Sequence, residues 1–333
     1  MLRKGRLKKC SAITNLHSQI ERAVQILRQG GVVAFPTETV YGLGADAENK
    51  KAVRRIFKLK GRPVNHPLIV HLYSADMLAD WAREVPPLAR KLAAKFWPGP
   101  LTIILRRSQR VPDVVTGGLD TVALRVPDHP VALALLKAFG GGLAAPSANR
   151  FGCVSPTNAA HVRDEFGDAL ELILDGGPCH VGIESTIVDL SSKELAILRP
   201  GGVTREEIER VARQMIPVRR KSSVRAPGQF RIHYAPQAEI IVVSNTELTR
   251  YAKTLTARGR RVAVLSGALT ERLPTGVVRL PAPRSSPKFA RQLYALLRTA
   301  DRLKMDTVLV CLPIETGLGL AIADRLRHAA GRG

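Results

Sequence analysis

Polar side chains and glycines follow a short apolar run near the start of the chain. Val32–Phe35 reads as a buried strand, and Pro36 ends it because proline has no N–H to donate to a neighbouring strand. The Thr-Glu-Thr sequence at 37–39 then supplies two hydroxyls and a carboxylate, while Gly42 and Gly44 leave backbone N–H groups unshielded. Ligands of open α/β sheets bind at the carboxyl ends of strands. The segment therefore predicts either a ligand site or an ordinary strand-to-loop corner.

A cationic segment, Lys58-Leu-Lys-Gly-Arg-Pro63, follows the next helical pattern. Cations at a helix C-terminus interact favourably with the helix dipole, so one reading is a solvated helix end. The other reading is phosphate binding. Gly61 and Pro63 would fix the backbone and aim Lys60 and Arg62 at one target, and arginine can clamp phosphate oxygens in a bidentate way.

Three more segments carry groups suited to anions. Arg125 lies inside the strand Val122–Val126, where it is either a half-exposed residue or a carboxylate clamp. The strand Leu143–Ala145 ends at proline and small polar groups, in Pro146-Ser-Ala-Asn149. Ser155-Pro-Thr157 begins another helix, with a hydroxyl at a helix N-terminus, where backbone N–H groups favour an anion.

The elements that position these groups alternate in type. Apolar runs predict strands at Val32–Phe35, Leu68–Leu72, Leu101–Leu105, Val122–Val126, Leu143–Ala145, Leu170–Asp175, Ser185–Leu190 and Leu195–Leu198. Helical spacing of apolar residues predicts helices at Ser18–Gln29, Lys51–Lys60, Ser74–Arg83, Pro87–Phe96 and Pro130–Phe139, and a capping box at Thr204–Glu207 predicts one ending near Met215. Residues 18–216 are thus predicted to form an α/β domain.

The remaining chain predicts a linker and a second domain. Residues 217–237 lack periodicity and carry Pro227-Gly228 and His233-Tyr-Ala-Pro236, which suggests a linker that closes as a lid over the first domain. From residue 238 to 333, strands at Glu239–Val243, Arg261–Leu265 and Thr307–Leu312 alternate with helices at Thr246–Ala257, Lys288–Lys304 and Leu320–Ala330. This alternation predicts a smaller, Rossmann-like parallel sheet, without the G-x-G-x-x-G of a dinucleotide site.

Composition limits the class of protein. The 333 residues suggest two domains, and no apolar run approaches the ~20 residues that a bilayer crossing needs. The four cysteines lie far apart, which favours reduced thiols in a cytoplasmic protein over a zinc ribbon or a disulfide framework. The basic N-terminal tail, residues 1–17, is not followed by the apolar segment of a secretory signal. A net charge of +23 is compatible with polyanion binding or simply with a solvated basic surface.

Eight ordered motifs between residues 20 and 215 resemble the threonylcarbamoyl-AMP synthase family, which is built on the YrdC-type domain. They are Phe-Pro-Thr-Glu-Thr-Val-Tyr-Gly-Leu-Gly (35–44), Lys-Gly-Arg-Pro (60–63), Pro-Leu-Ile-Val-His (67–71), Trp-Pro-Gly-Pro-Leu-Thr (97–102), Ala-Pro-Ser-Ala-Asn (145–149), Ser-Pro-Thr (155–157), Glu-Ser-Thr-Ile-Val-Asp (184–189) and Leu-Arg-Pro-Gly (198–201). Ala-Pro-Gly (226–228) and His-Tyr-Ala-Pro (233–236) resemble the two-domain members. The resemblance implies an α/β fold with a YrdC-like twisted, open mixed sheet and flanking helices, followed by the Rossmann-like domain.

The resemblance also implies a reaction, in which a nucleotidyltransferase converts L-threonine, bicarbonate or CO₂, and ATP into threonylcarbamoyl-AMP and pyrophosphate. This is the first step of the threonylcarbamoyladenosine modification of tRNA. It implies Mg²⁺ carried by the ATP phosphates, no organic cofactor and a downstream threonylcarbamoyl transferase. It does not say whether tRNA touches the chain.

Site roles carried over by motif fall into three sets. The phosphate set is Lys60, Arg62, Ser147 and Asn149; further ATP contacts are His66, Thr121, Ser155, Arg199 and Tyr234; the threonine pocket is Thr39, His71, Arg125, Ala145 and Ser185. His66 stands where many members carry asparagine, and Gln229–Ile232 departs from the usual linker sequence. Two rival readings are a carbamoyl-transfer protein of hydrogenase maturation, whose zinc-finger cysteines this sequence lacks, and a non-catalytic RNA-binding module.

Overall fold

The computed structural model describes residues 16–192, 194–219, 224–225, 227, 234–267 and 272–331. The basic tail up to residue 15, Cys10, and most of the predicted linker, including Gly228, Gln229–Ile232 and His233, lie outside these ranges. The described chain builds two sheets, one of eight strands and one of four. Within these ranges, every helix is too short or too polar to cross a membrane.

The larger sheet is mixed, as predicted. Its strands are β1 (Val33–Phe35), β2 (Gly42–Asp46), β3 (Ile69–His71), β4 (Leu101–Arg106), β5 (Thr121–Arg125), β6 (Leu143–Ala144), β7 (Thr186–Asp189) and β8 (Ala196–Arg199). They lie in the order β1-β2-β6-β3-β5-β4-β7-β8. The pairs β3/β5 and β4/β7 are parallel and the others are antiparallel. Chain segments distant in sequence therefore meet at the middle of the sheet.

Helices flank this sheet. They are α1 (residues 16–28), α2 (Lys50–Lys60), α3 (Leu78–Trp81), α4 (Pro87–Phe96), α5 (Asp113–Thr116), α6 (Pro130–Phe139), α7 (Ala159–Phe166) and α8 (Arg205–Ala212), with short 3₁₀ turns at Ala75–Met77 and Gly167–Ala169. Helix α2 begins at Asn49, whose side chain caps the first turn, and ends at Gly61 with φ 63°. The predicted capping box forms at Thr204 and Glu207.

The second sheet is entirely parallel, which confirms the predicted class. It comprises β9 (Glu239–Val242), β10 (Val262–Ser266), β11 (Val278–Pro281) and β12 (Thr307–Val310), with helices α9 (Leu248–Ala257), α10 (Ser286–Arg302) and α11 (Leu318–Ala330). The strand order is β11-β10-β12-β9. Helices α10 and α11 pack on each other, and both face the first sheet's domain through residues described below.

One of the predicted strands is wrong, and two of the observed strands were not predicted. Residues 170–175 do not form a strand; they make a single bridge between Ala34 and Ile173. Strands β2 and β11 were not predicted from the sequence. In β2, a Cβ atom at Gly44 would lie 2.6 Å from the Phe35 ring, so glycine here makes room for an aromatic side chain that packs across the strand. Glycines that looked like loop residues are thus part of a ladder.

The two domains share a hydrophobic cluster. Val40, Val154 and Ile183 from the first domain are buried with Tyr234 and with the apolar faces of α10 and α11. Burial of a shared apolar surface favours a fixed contact between the domains over a loose tether. The contact places the second domain beside the polar residues that follow the strands of the first sheet.

Candidate active site

A cavity opens in the first domain where loops from the central strands meet. It encloses about 550 Å³ of space, including its open mouth. Its lining is Thr37, Thr39, Val40, Gly42, Arg62, Pro67, Leu68, Ile69, His71, Arg125, Ala145, Pro146, Ser147, Glu184, Ser185, Arg199, Pro227 and Tyr234. All five residues predicted for the threonine pocket line it. Of the predicted nucleotide residues, Arg62, Ser147, Arg199 and Tyr234 line it, whereas Lys60, His66, Thr121, Asn149 and Ser155 do not.

Arg125 is a buried cation at the end of β5. Its Nη2 lies 2.9 Å from Thr39 Oγ1 and 2.5 Å from Glu38 Oε1, and its Nε donates to the Gly99 carbonyl at 3.2 Å. The Glu38 side chain is 1% exposed, and among the described residues its oxygens accept no hydrogen bond of good geometry beyond this ion pair. Arg125 is therefore held in place by a partner carboxylate while still facing the cavity. The half-exposed alternative for Arg125 is wrong.

Hydrogen bonds within the Thr37–Val40 loop fix its conformation independently of Arg125. Thr37 Oγ1 donates to the Val40 carbonyl at 2.6 Å and accepts from the backbone N–H groups of Thr39 and Val40. The hydroxyls of Thr37 and Thr39 lie 2.8 Å apart. A threonine that bonds its own backbone stabilises a tight turn. This turn presents the Thr39 hydroxyl to the cavity at the point where Pro36 ended the strand.

His71 lies on β3 and is neutral. Burial, followed by the nearby Arg125 charge, lowers its pKa to about 3. Its Nδ1 is buried and, within the described ranges, makes no hydrogen bond. The ring packs edge-on against Phe35, with centroids 6.0 Å apart. A neutral imidazole with an open nitrogen can form one hydrogen bond with a ligand without adding charge.

Ser185 and Arg199 are joined across β7 and β8. Arg199 donates through Nε and Nη2 to the Ser185 carbonyl at 3.1 and 2.9 Å, and through Nη2 to Ser185 Oγ at 3.1 Å. Ser185 Oγ also lies 2.7 Å from Thr102 Oγ1. The remaining Arg199 nitrogen, Nη1, donates to the carbonyl of Pro227 at 3.1 Å. Arg199 thus links the sheet to the linker, and most of its donors are already used.

Lys60 does not line the cavity, but it bonds the backbone of the loop that carries Ser147. Its Nζ donates to the carbonyl oxygen of Ser147 at 2.5 Å and to that of Asn149. The side chain is buried, and burial, followed by the charge of Arg62, lowers the pKa of Lys60 well below its usual value. The solvated-helix-end reading of Lys60 is wrong. The described contacts show a lysine that fixes the loop after β6, and its role towards phosphate stays a prediction.

Arg62 and Asn149 carry the unpartnered polar atoms of the predicted phosphate set in the described part of the chain. Arg62 Nη2 donates to the Pro67 carbonyl at 3.0 Å, while its buried Nε has no hydrogen-bond partner among the described residues. Burial lowers the pKa of Arg62 to about 10, so it remains a cation at neutral pH. Asn149 donates through Nδ2 to the carbonyls of Arg150 and Cys153, and its Oδ1 is likewise unpartnered in that part of the chain.

The other predicted nucleotide residues lie outside the cavity lining. His66 packs against Phe151, with ring centroids 5.4 Å apart, and burial together with Arg62 lowers its pKa to about 4. Thr121 starts β5. Ser155 does not begin a helix, because α7 starts at Ala159 with Asn158 as its cap; its hydroxyl donates to Glu184 at 2.7 Å. Nucleotide contacts by these three residues stay predictions.

Tyr234 is fully buried where the linker reaches the second domain. Its backbone is left-handed, with φ 64°, and the next residue, Ala235, bridges to Cys153. The ring stacks on Tyr294 at 5.8 Å with an interplanar angle of 23°. It also lines the cavity, so an aromatic side chain from beyond the first domain closes one side of the site. The lid hypothesis for residues 217–237 stays a prediction, because most of that segment lies outside the described residues.

Two acidic residues at the site were not assigned by sequence reasoning. Glu38 balances Arg125, and Glu184 lines the cavity with a carboxylate that accepts hydrogen bonds from Ser155 and two residues of the second domain. Burial alone would raise the pKa of Glu184, but Arg325 and Arg199 lower it to about 2. Both glutamates lie within the quoted motifs, and their positions beside β1 and β7 were the available signal.

Comparison with known protein families divides the chain in two. Residues 25–201 match a sequence family described as telomere recombination, and residues 203–331 match one described as threonylcarbamoyl-AMP synthase, C-terminal domain. The two matches cover nearly all of the described chain and follow one another without overlap.

Individual proteins show the same similarity over their full length. A threonylcarbamoyl-AMP synthase of Pyrococcus abyssi is 43% identical over 335 residues, covering 96% of this chain and 97% of the relative. One from Bacillus subtilis is 40% identical, covering 94% of this chain and 93% of the relative. The crystal structure of P. abyssi Sua5 complexed with L-threonine superposes with a TM-score of 0.87 at 44% identity, covering 94% of each chain.

Proposed function

Since the chain belongs to the threonylcarbamoyl-AMP synthase family, we propose that it converts L-threonine, bicarbonate or CO₂, and ATP into threonylcarbamoyl-AMP and pyrophosphate. The observation that carries the proposal is a single cavity that gathers Arg62, Arg125 and Arg199 with the hydroxyls of Ser147 and Ser185. Threonine carries a carboxylate and ATP carries phosphates, so both present anionic groups to these cations. The product supplies the threonylcarbamoyl group for modification of tRNA.

The chemistry requires positive charge and alignment more than a strong base. The threonine amine forms an N–C bond with CO₂, or with bicarbonate with loss of water, and releases its protons to solvent to give N-carboxythreonine. A carbamate oxygen of this intermediate then attacks the α-phosphorus of ATP, and pyrophosphate leaves with the electrons of the broken P–O bond. Negative charge develops on the phosphoryl oxygens, so fixed cations stabilise the transition state. The cavity's own carboxylate, Glu184, is already bonded by three donors, which argues against a role as general base.

We assign the threonine end of the cavity to the Arg125 side. There Arg125 would pair with the threonine carboxylate, and neutral His71, Thr39 and Ser185 would form hydrogen bonds with the amine and hydroxyl groups. Ala145 would leave room for the substrate methyl group. Supporting observations are the fixed Arg125–Thr39 contact at 2.9 Å and the open Nδ1 of His71.

We assign the phosphate end to Arg62 and Ser147, supported from behind by Lys60 and Asn149. Arg62 retains an unbonded Nε among the described residues, and a guanidinium with an open donor is suited to a phosphate oxygen. Lys60 would act by fixing the Ser147 and Asn149 backbone in the position that the nucleotide needs. His66, Thr121, Ser155, Arg199 and Tyr234 complete the proposed nucleotide set.

We propose that magnesium enters the site bound to the phosphates of ATP. In the described ranges, no group of three or more His, Cys, Asp or Glu side chains could hold a metal ion. When bound, Mg²⁺ would neutralise phosphate charge. The nucleotidyltransferase class, the use of bicarbonate, a downstream threonylcarbamoyl transferase and a cytoplasmic location are parts of the same proposal.

The test is substrate dependence in the purified full-length protein. We expect pyrophosphate release from ATP only when threonine and bicarbonate are both present, with threonylcarbamoyl-AMP identified by mass spectrometry. Omitting either substrate, or replacing threonine with valine, which lacks the hydroxyl, gives the matched controls. Pyrophosphate release that does not depend on threonine would reject the proposal. Threonine-independent RNA binding without turnover would also reject it and would favour a non-catalytic module.

A further inference from the structure

Glu184 connects the catalytic cavity to the second domain. Glu184 lines the cavity, and its carboxylate is bonded on both oxygens: Ser155 Oγ lies 2.7 Å from Oε1, and Tyr294 Oη and Arg325 Nε each lie 2.7 Å from Oε2. Tyr294 belongs to α10 and Arg325 to α11. Among the described residues, two of the three donors to Glu184 therefore come from the C-terminal domain, and one of these two is the arginine cation.

A carboxylate in this position opposes the binding of a polyphosphate. Glu38 also lies near the cavity, but Arg125 already matches its negative charge. Arg199 contributes positive charge near Glu184, but its nitrogens bond Ser185 and the Pro227 carbonyl rather than the carboxylate. Without Arg325, a buried negative charge would face the incoming phosphates, and such repulsion is strong away from bulk water.

Arg325 also holds the aromatic side of the cavity. Its guanidinium carbon lies 5.0 Å from the centroid of the Tyr234 ring, and Tyr234 stacks on Tyr294. Arg325 Nη1 is fixed by Asp324 at 2.6 Å, and the side chain is 1% exposed. One buried arginine therefore orients two residues that line the cavity, although it does not line the cavity itself.

We propose that Arg325 and Tyr294 are positioning residues of the ATP site that the C-terminal domain supplies: Arg325 matches the charge of the Glu184 carboxylate when phosphates bind, and Tyr294 donates a hydrogen bond to it. This inference rests on the proposed function for the identity of the anion. It gives the second domain a defined task in the reaction of the first. It also predicts that the effect on ATP should be larger than the effect on threonine, since Arg125 and Glu38 do not contact this network.

The experiment is a double-mutant cycle on the full-length protein, with ATP affinity measured by calorimetry. Leaving Glu184 unpaired should raise the Kd for ATP by ~10- to 100-fold in Arg325→Met, while KM for threonine changes much less. Glu184→Gln removes the charge and keeps the shape. The double variant Glu184→Gln/Arg325→Met should therefore bind ATP within about threefold of Glu184→Gln alone. A purely structural role for Arg325 would show no such rescue.

Matched controls separate charge from folding. Arg327→Met changes an arginine two positions away on the same helix, whose guanidinium bonds the exposed Glu315 outside the cavity, and it should leave the Kd for ATP unchanged. Should Arg325→Met fail to fold, Tyr294→Phe removes one donor to Glu184 and keeps the ring; it should raise the Kd by ~3- to 10-fold. An unchanged Kd in a folded Arg325→Met or Tyr294→Phe protein, or a double variant no better than Arg325→Met, would overturn the inference.

The failure of the inference can be told apart from the failure of the proposed function. ATP affinity is measured without turnover, so it tests the Glu184 network even in the absence of threonine. Wild-type protein that binds ATP but releases no pyrophosphate with threonine and bicarbonate would refute the proposed function alone. Wild-type turnover together with unaltered ATP binding in both variants would refute the inference alone.

Discussion

Replacing Lys60 with methionine tests whether this lysine acts through the protein or directly on phosphate. Methionine keeps the unbranched apolar stem, which fits the buried position, and removes the Nζ donors. The carbonyl oxygens of Ser147 and Asn149 would then lose their partner. Ser147 lines the cavity, so the same change should disturb the site.

The magnitude follows from the two carbonyls. A buried acceptor that loses its only partner costs about 1–3 kcal/mol, so two cost about 2–6 kcal/mol. Removing a buried amine recovers part of this, because burial already disfavours its charged form. We therefore expect the free energy of unfolding of the first domain to fall by about 2–4 kcal/mol. Turnover should fall by roughly 10²-fold, since the loop that carries Ser147 is no longer fixed.

The assay can follow the first domain alone. The chain's two tryptophans, Trp81 and Trp97, both lie in that domain and are buried, so their fluorescence during urea denaturation reports its unfolding. Lys58→Met, an exposed position on the same helix, is the control and should change the free energy of unfolding by less than about 0.5 kcal/mol. An unchanged free energy of unfolding in Lys60→Met, combined with the loss of turnover, would show that Lys60 acts on phosphate and refute this reasoning.

Four further changes have expected outcomes. Arg62→Met should lower kcat roughly 10²-fold, which corresponds to about 3 kcal/mol. It should lower the free energy of unfolding by only ~1 kcal/mol, since the Arg62 side chain bonds one carbonyl. Comparable losses in kcat and in the free energy of unfolding would contradict the phosphate role of Arg62. Ser185→Ala should raise the threonine KM by ~3- to 10-fold with little change in the ATP KM, and an unaltered threonine KM would remove it from the pocket. The pKa of His71 is about 3 in the folded protein and 6.5 ordinarily, so between these pH values the unfolded chain binds more protons than the folded one. The free energy of unfolding should therefore fall as the pH drops from 6.5 to 3, by up to ~1.4 kcal/mol per pH unit. His71→Gln should flatten the dependence of the urea midpoint on pH, measured over the same range. Tyr234→Ala should raise the ATP KM and shorten the lifetime of the product by opening one side of the cavity, and full retention of both would leave the 217–237 segment a plain linker.

Motifs that resemble the family located most of the residues that line the cavity, and two of these motifs also mark where strands end. Pro36 and Pro146 each identified a strand terminus from local chemistry, and the sheet order brings these termini together. The alternation of strands and helices after residue 238 likewise predicted the parallel sheet. These features depend on neighbours along the chain, so a single sequence carries them.

Features that depend on distant neighbours were missed. Gly42–Asp46 looked like a loop because nothing local indicates that the Phe35 ring packs over Gly44. Ser155 appeared to begin a helix, yet its hydroxyl bonds Glu184, which lies 29 residues away in sequence. Lys60 donates to the carbonyls of Ser147 and Asn149, which lie 87 and 89 positions later in the sequence. Long-range partners of this kind appear only when the sheet topology is known.

The three arginines that line the cavity differ in how many partners they already have, and we therefore expect them to have different roles. Arg125 is matched by a buried carboxylate, Glu38, so it offers orientation and only part of its charge. Arg199 has donated to Ser185 and Pro227, so its main effect is to hold β7, β8 and the linker together. Arg62 retains an unbonded donor within the described ranges and has no carboxylate partner in an ion pair there. A developing phosphate charge should therefore be drawn to Arg62, since its charge is the least compensated of the three.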